Sequence, residues 1–358
     1  MKCWLLRLAL TLVLSVGLAL VVVASLVRPD LPSEPLIERY TSEQSQWFEV
    51  DGLRVHFRDQ GNPNGPPMLL LHGTFASLHT WEAWVSELGE TYRIITLDLP
   101  GFGLTGPHPK KDYSLAATLH LFESLREHLG ISEWVVAGNS LGAGYALAYA
   151  QHQPDVILAV GLLNGGRIRL SQADYEAQRA SVEASQARER GDSLVAQALR
   201  QPQARALLTQ ITPRFLVRYA LKDVYGDPAQ ISDAQVTRYH ELLRRAGNRQ
   251  AFIDRFERQG DPSLSPYALT DPVSPMELEI PIFIIWGEKD RWIPLSVGER
   301  LASILPNTEL KVYPELGHIP MEESPQKTAG DFAQFLTEVG VSNPALLSSS
   351  GDDDGQIN

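Results

Sequence analysis

The sequence predicts an α/β fold: a mostly parallel central sheet with helices on both faces and a helical insertion. Three observations carry this. Short, nearly continuous apolar runs at 68–71, 93–97, 134–137, 157–163 and 282–286 have the unbroken character of strands covered on both faces. Amphipathic stretches, including 80–88, 115–129 and 141–151, separate several of them, and such alternation implies right-handed crossovers with a site at the carboxyl edge of the sheet. Between Gly166 and Pro275 no strand-like run occurs, only helical patterns broken at Pro202, Pro213, Gly226-Asp227-Pro228, Gly247 and Pro262.

In chain order the first feature is an apolar run at 8–27, twenty residues without a charge, long enough as a helix to cross a hydrocarbon core of about 30 Å. A single transmembrane helix is expected within 1–28. Lys2 and Arg7 favour a cytoplasmic N-terminus and a main domain on the periplasmic or extracellular side, although Arg28 opposes that bias. Cleavage after a signal-peptide site at Val23-Ala24-Ser25 would instead make the chain a secreted one. A tether follows at 29–46. The alternation over 46–58 around Asp51-Gly52 predicts an antiparallel hairpin. The core then occupies 47–166 and 276–340, with a cap at 167–275 and a disordered tail at 341–358.

Charge narrows the partners. The 358 residues carry 31 Lys and Arg against 43 Asp and Glu, a net −12 that a nucleic-acid backbone would repel. The acidity is uneven: 167–258 hold 16 basic and 11 acidic residues, a net +5, leaving −17 elsewhere. That basic insertion reads as solvated helix faces, or as a surface leaning toward anionic lipid headgroups. One cysteine excludes an internal disulfide, and no Cys–His cluster has zinc spacing, so no metal is expected.

Chemistry concentrates at strand ends. Gly138-Asn139-Ser140-Leu141-Gly142 follows the apolar WVVA and opens the helical LGAGYALAYA. A serine on so tight a strand-to-helix turn is forced outward, and the flanking glycines let neighbouring elements approach. Ser140 is the candidate nucleophile. Its hydroxyl needs a base, and the base an orienting acid. Asp290 stands in the loop after IPIFIIWG, with Glu288 as a rival nearer the strand end; the loop after the preceding strand reads Asn164-Gly165-Gly166 and offers no carboxylate. His318, following a last strand at 310–313, is the candidate base. Negative charge growing on a carbonyl oxygen needs N–H donors aimed at it. The amide of Leu141 supplies one, and that of Thr74, in His72-Gly73-Thr74-Phe75, the other. His72 and Asp98 read as residues that hold loops. Neither GxxxxGK[ST] nor a helix-opening GxGxxG occurs, so no cofactor is expected.

The motifs HGTF, DLPGFG, GNSLG, WGEKD and GHIPMEE together resemble the α/β-hydrolase superfamily, in its serine-hydrolase branch with a helical cap. The resemblance spans 47–339 and implies Ser140 as nucleophile, Asp290 as acid, His318 as base, Thr74 and Leu141 as oxyanion donors, and 166–275 as cap. Relatives that are epoxide hydrolases or haloalkane dehalogenases carry Asp where this chain has Ser140. The N-terminal apolar run and a cap rich in Leu, Phe and Tyr resemble single-span monoacylglycerol lipases. The expected activity is therefore hydrolysis of a carboxylic ester, lipid-like in character, through an acyl-enzyme. A carbon–carbon bond hydrolase of the same fold and a non-catalytic binding scaffold are the alternatives. Phe215, Tyr219, Tyr225 and Tyr239 in the cap are either pocket lining or helix core. The sequence leaves the oligomeric state open.

Overall fold

The computed structural model describes residues 26–166, 210–258 and 278–341, with isolated positions 15, 17, 201 and 203. Eight strands form one sheet: β1 (Ser45–Val50), β2 (Leu53–Gly61), β3 (Pro67–Leu71), β4 (Arg93–Leu97), β5 (Trp134–Asn139), β6 (Ile157–Leu163), β7 (Ile282–Gly287) and β8 (Thr308–Tyr313), in the order β1-β2-β4-β3-β5-β6-β7-β8. From β4 to β8 every pairing is parallel; β2 runs antiparallel to both β1 and β4. The expected hairpin is β1–β2, and Asp51 and Gly52 at its tip have φ of 50° and 82°, the pair of positive values that a tight two-residue turn requires.

The helices are α1 (Ser33–Tyr40), α2 (Glu82–Leu88), α3 (Leu115–His128), α4 (Leu141–His152), α5 (Arg214–Val224), α6 (Asp233–Leu243), α7 (Asn248–Arg258), α8 (Leu295–Ile304), α9 (Pro320–Glu323) and α10 (Pro325–Glu338). The unbroken apolar runs have a simple cause. Met68, Leu70, Val135, Ala137, Phe283 and Ile285 face Trp84, Phe332 and Phe335 of α2 and α10. Their chain neighbours Leu69, Leu71, Val136 and Ile284 face Phe122, Leu147, Tyr149 and Leu301 of α3, α4 and α8. Both faces of the central strands β3 to β7 are almost wholly buried, and each fully buried Leu or Phe contributes roughly 1.5–3 kcal/mol.

Register fixes the working edge. Leu71 pairs with Gly138, Asn139 with Leu163, Leu163 with Ile285 and Gly287 with Tyr313. The segments that follow β3, β5, β6, β7 and β8 therefore emerge side by side. Helices α5 and α6 belong to the described part of the insertion, and their Val217, Leu221 and Val236 close one of the two cores.

The stretch expected to be a tether is built into the fold. Its helix α1 buries Leu36 against Leu104 and Leu242. Val27 and Leu31 bridge to Ile211 and Arg245, and Arg249 holds Asp30 at 2.6 Å. The transmembrane helix expected from the sequence is not seen: no helix among the described residues is long and apolar enough to cross a membrane. The run at 8–27 lies outside those residues except at 15, 17, 26 and 27, as do 167–200, most of 201–209, 259–277 and the tail at 342–358.

Candidate active site

Ser140 links β5 to α4 with φ 53° and ψ −113°, a conformation costly for any residue with a Cβ. Two glycines make it possible through close approach. A Cβ on Gly142 would collide with the carbonyl of Leu71, and one on Gly165 would lie 2.5 to 2.8 Å from the backbone of Ser140. The serine is buried and its amide donates to Leu163 O at 3.0 Å.

His318 follows β8, as the sequence predicts, and its Nδ1 lies 2.6 Å from Asp290 Oδ2. A carboxylate only accepts, so this nitrogen carries a proton, and Nε2 is the ring nitrogen that faces away from the acid. Asp290 is held from all sides. Its Oδ1 accepts from the amides of Trp292 at 2.7 Å and Ile293 at 2.9 Å, while Oδ2 also accepts from Asn164 Nδ2 at 2.8 Å. Glu288, the rival acid, is exposed, whereas Asp290 is buried.

Ser140 belongs to the same assembly through its neighbour. Asn139 Nδ2 donates to the carbonyl of His318 at 2.9 Å and to that of Leu163 at 3.1 Å, so the turn and the histidine loop are tied together. A Cβ on Gly73 would sit 3.2 Å from Ser140 Cβ, which sets the segment carrying Thr74 against the serine. Leu141 opens α4, where the first amides have no acceptor within the helix.

His72 is engaged at both nitrogens. Nδ1 donates to Gly73 O at 2.7 Å, and Nε2 accepts from the Leu99 amide at 3.0 Å. Burial pushes its pKa down and keeps the ring neutral. Asp98 accepts from His56 Nδ1 at 2.8 Å, Leu78 N at 2.8 Å and Leu104 N at 2.7 Å. Burial alone would raise its pKa, but the hydrogen bond and charge of His56 hold it below the usual carboxylate range. Both residues join the loops around the site.

Several residues at the site have roles the motifs do not reveal. Asn164, at φ 43°, accepts from Gly287 N at 3.0 Å while donating to Asp290. Glu322 gathers the hydroxyls of Thr80, Tyr225 and Tyr239 and the amide of Gln235, joining α5 and α6 to the core. Glu323 accepts from Gly226 N at 2.7 Å and Gly317 N at 2.8 Å, and burial raises its pKa. The amide of His318 donates to Val224 O at 2.7 Å. The histidine loop is thus clamped beneath the end of α5. Only the Glu-Glu pair of GHIPMEE hinted at this in the sequence. Among the described residues no group of His, Cys, Asp and Glu is arranged to hold a metal ion.

A serine on a strained strand-to-helix turn and a carboxylate-bound imidazole at one edge of a parallel sheet define a hydrolase of the α/β class. The chain belongs to the α/β-hydrolase fold family, whose model matches residues 66–325. It is 26% identical over 302 residues to the uncharacterized hydrolase YugF of Bacillus subtilis, covering 81% of this chain and 96% of that protein. It is 25% identical over 289 residues to a 2-hydroxy-6-oxononadienedioate/2-hydroxy-6-oxononatrienedioate hydrolase of Burkholderia vietnamiensis, covering 79% and 91%. Among solved structures, a membrane phospholipase A described as a bacterial virulence factor superimposes with a TM-score of 0.62 at 26% identity, over 95% of this chain and 99% of that one.

Proposed function

We propose that the protein is a membrane-anchored serine hydrolase that cleaves carboxylic esters of lipid-like substrates in two steps. The observation that carries this reading is the Asp290–His318 bond, which turns Nε2 away from the acid, with Asn139 tying the histidine loop to the Ser140 turn. In the first step Ser140 Oγ attacks the acyl carbonyl as His318 Nε2 takes its proton, and the amides of Thr74 and Leu141 hold the oxyanion. His318 returns that proton to the leaving alcohol, and an acyl-enzyme remains. Water, deprotonated by His318, then attacks the acyl group, and collapse releases the acid and restores Ser140. Asp290 stabilises the imidazolium in both steps.

The lipid-like preference rests on two supports: the apolar run at 8–27 and the likeness to a membrane phospholipase A. A second reading, carbon–carbon bond hydrolysis by the same residues, is favoured by the likeness to the Burkholderia vietnamiensis enzyme. A panel of short-chain esters, monoacylglycerols, phospholipids and ring-fission diketones decides between them. The proposal expects turnover of the esters, with long acyl chains preferred. Turnover of the diketones alone would establish the second reading.

A further inference from the structure

Among the described residues the exposed large apolar side chains are few and gathered together. Phe215 is 60% exposed, Tyr219 42%, Leu216 36% and Val27 41%. The first three lie on α5, at the i, i+1, i+4 spacing of one helix face, while Val217 and Leu221 on the other face are buried in the core. Arg214, Arg218 and Lys222 recur every four residues beside this face; Asp233 pairs with both arginines and offsets one charge.

Val27 belongs to the same region. It pairs with Ile211, and Arg28 N donates to Gln210 O at 2.8 Å. Phe215 follows Ile211 by four positions, so their Cα atoms lie at most about 14 Å apart. The joint has little slack: Arg249 donates to Arg28 O at 2.8 Å and to Asp30 Oδ1 at 2.6 Å, and Ala246 N donates to Leu31 O at 2.8 Å. Val27 is also the last residue of the twenty-residue apolar run. A run that crosses a bilayer ends at its surface, and here the strap ties that end to the segment that leads into α5.

We infer that the exposed face of α5, Phe215, Leu216 and Tyr219 with Arg214, Arg218 and Lys222 beside them, docks on the surface of a bilayer carrying anionic headgroups. Aromatic and aliphatic side chains would enter the boundary between headgroups and acyl chains, and the cations would meet lipid phosphates. The charge distribution agrees: the segment 167–258 is net positive in a chain that is otherwise strongly acidic. Since α5 ends in the clamp on the His318 loop, docking would bring the edge of the sheet that bears Ser140 toward the lipid. This inference rests on the membrane-anchored reading, and its test separates the two.

The full chain is prepared with Cys3, its one cysteine, changed to Ser, and a single new cysteine is introduced by Phe215→Cys, Leu216→Cys or, as a control, Glu133→Cys, which precedes β5 at the end opposite Ser140. Each variant is labelled with a polarity-sensitive fluorophore and reconstituted into vesicles of phosphatidylethanolamine and phosphatidylglycerol. Flotation with the vesicles tests anchoring alone. The docking proposal expects labels at 215 and 216 to shift to the blue and to be quenched by lipids carrying a spin label near the headgroup, while the label at 133 reports water. Vesicle-bound protein whose 215 and 216 labels match the control overturns docking and leaves anchoring intact. A blue shift insensitive to spin-labelled lipid would show that a second copy of the chain covers the face, and would also overturn it. Failure to float removes the anchored reading and docking with it.

Discussion

Asn139 and His318, 179 residues apart, are joined by a hydrogen bond of 2.9 Å from the Asn139 amide to the His318 carbonyl. The residue beside the candidate nucleophile thus positions the backbone of the candidate base. Asn139→Ala removes the link while leaving Ser140 and the imidazole chemically intact. A hydrogen bond of about 1 kcal/mol lost from the transition-state geometry corresponds to a drop in kcat of about fivefold, with KM little changed. Steady-state kinetics on a soluble ester checks this; an unchanged kcat contradicts it.

Glu322→Ala should loosen the cap. Four polar groups, from Thr80, Tyr225, Tyr239 and Gln235, would lose their shared acceptor. Leaving buried hydroxyls unpaired costs about 1–3 kcal/mol each, so a loss of at least about 2 kcal/mol is expected in denaturant unfolding. Hydrogen exchange at 224–226 should quicken in the same variant. Exchange as slow as in the parent would show that the clamp does not depend on Glu322.

Acid should weaken the fold from about pH 6.5 downward. His79 is buried, and burial lowers its pKa to about 4, with Arg58 acting in the same direction and Asp98 against it. Its unfolded value is near 6.5, so between pH 6.5 and 4 the unfolded chain binds more protons than the folded one. Stability therefore falls as pH drops through that window and is fully present above it, by an amount on the order of 3 kcal/mol. His72, also lowered by burial, adds a loss of the same sign. Unfolding midpoints measured against pH should show this slope, and His79→Gln should flatten it. An equal slope in the variant would assign the effect elsewhere.

Asp30→Ala should free the strap. The Arg249 side chain is 3% exposed and its partner 40%, so the pair is only partly screened. A loss of about 1–2 kcal/mol is expected, since Arg249 keeps Arg28 O and Thr212 Oγ1 as acceptors. Limited proteolysis should open new cuts between 26 and 45. Cleavage at the parent rate would contradict a structural strap.

These predictions mark where the sequence is transparent and where it is not. Strand, turn and helix at Gly138–Gly142 are local, so that motif could be read directly, whereas the approach of Leu71 and Gly165 that accommodates the Ser140 conformation appears only in the fold. The partnership of Asp290 and His318 followed from chain order on a parallel sheet. Asn139 and Asn164 sat inside the quoted motifs, yet an amide side chain shows its partner only once two strand ends are side by side. Glu322 gathers ligands from segments more than eighty residues away, and the strap meets cap residues some two hundred positions later. Neither pairing leaves a periodic trace. The cap aromatics, read together as pocket or core, divide: Tyr225 is buried against Glu322, whereas Phe215 and Tyr219 face outward.

The most direct measurement is intact-protein and peptide mass spectrometry after treatment with a fluorophosphonate probe, with hydrolysis by Ser140→Ala measured alongside. The expected result is one adduct, on Ser140, together with loss of ester hydrolysis by several orders of magnitude in a folded Ser140→Ala protein. An adduct at another residue, or full hydrolysis by that variant, would contradict Ser140 as the nucleophile.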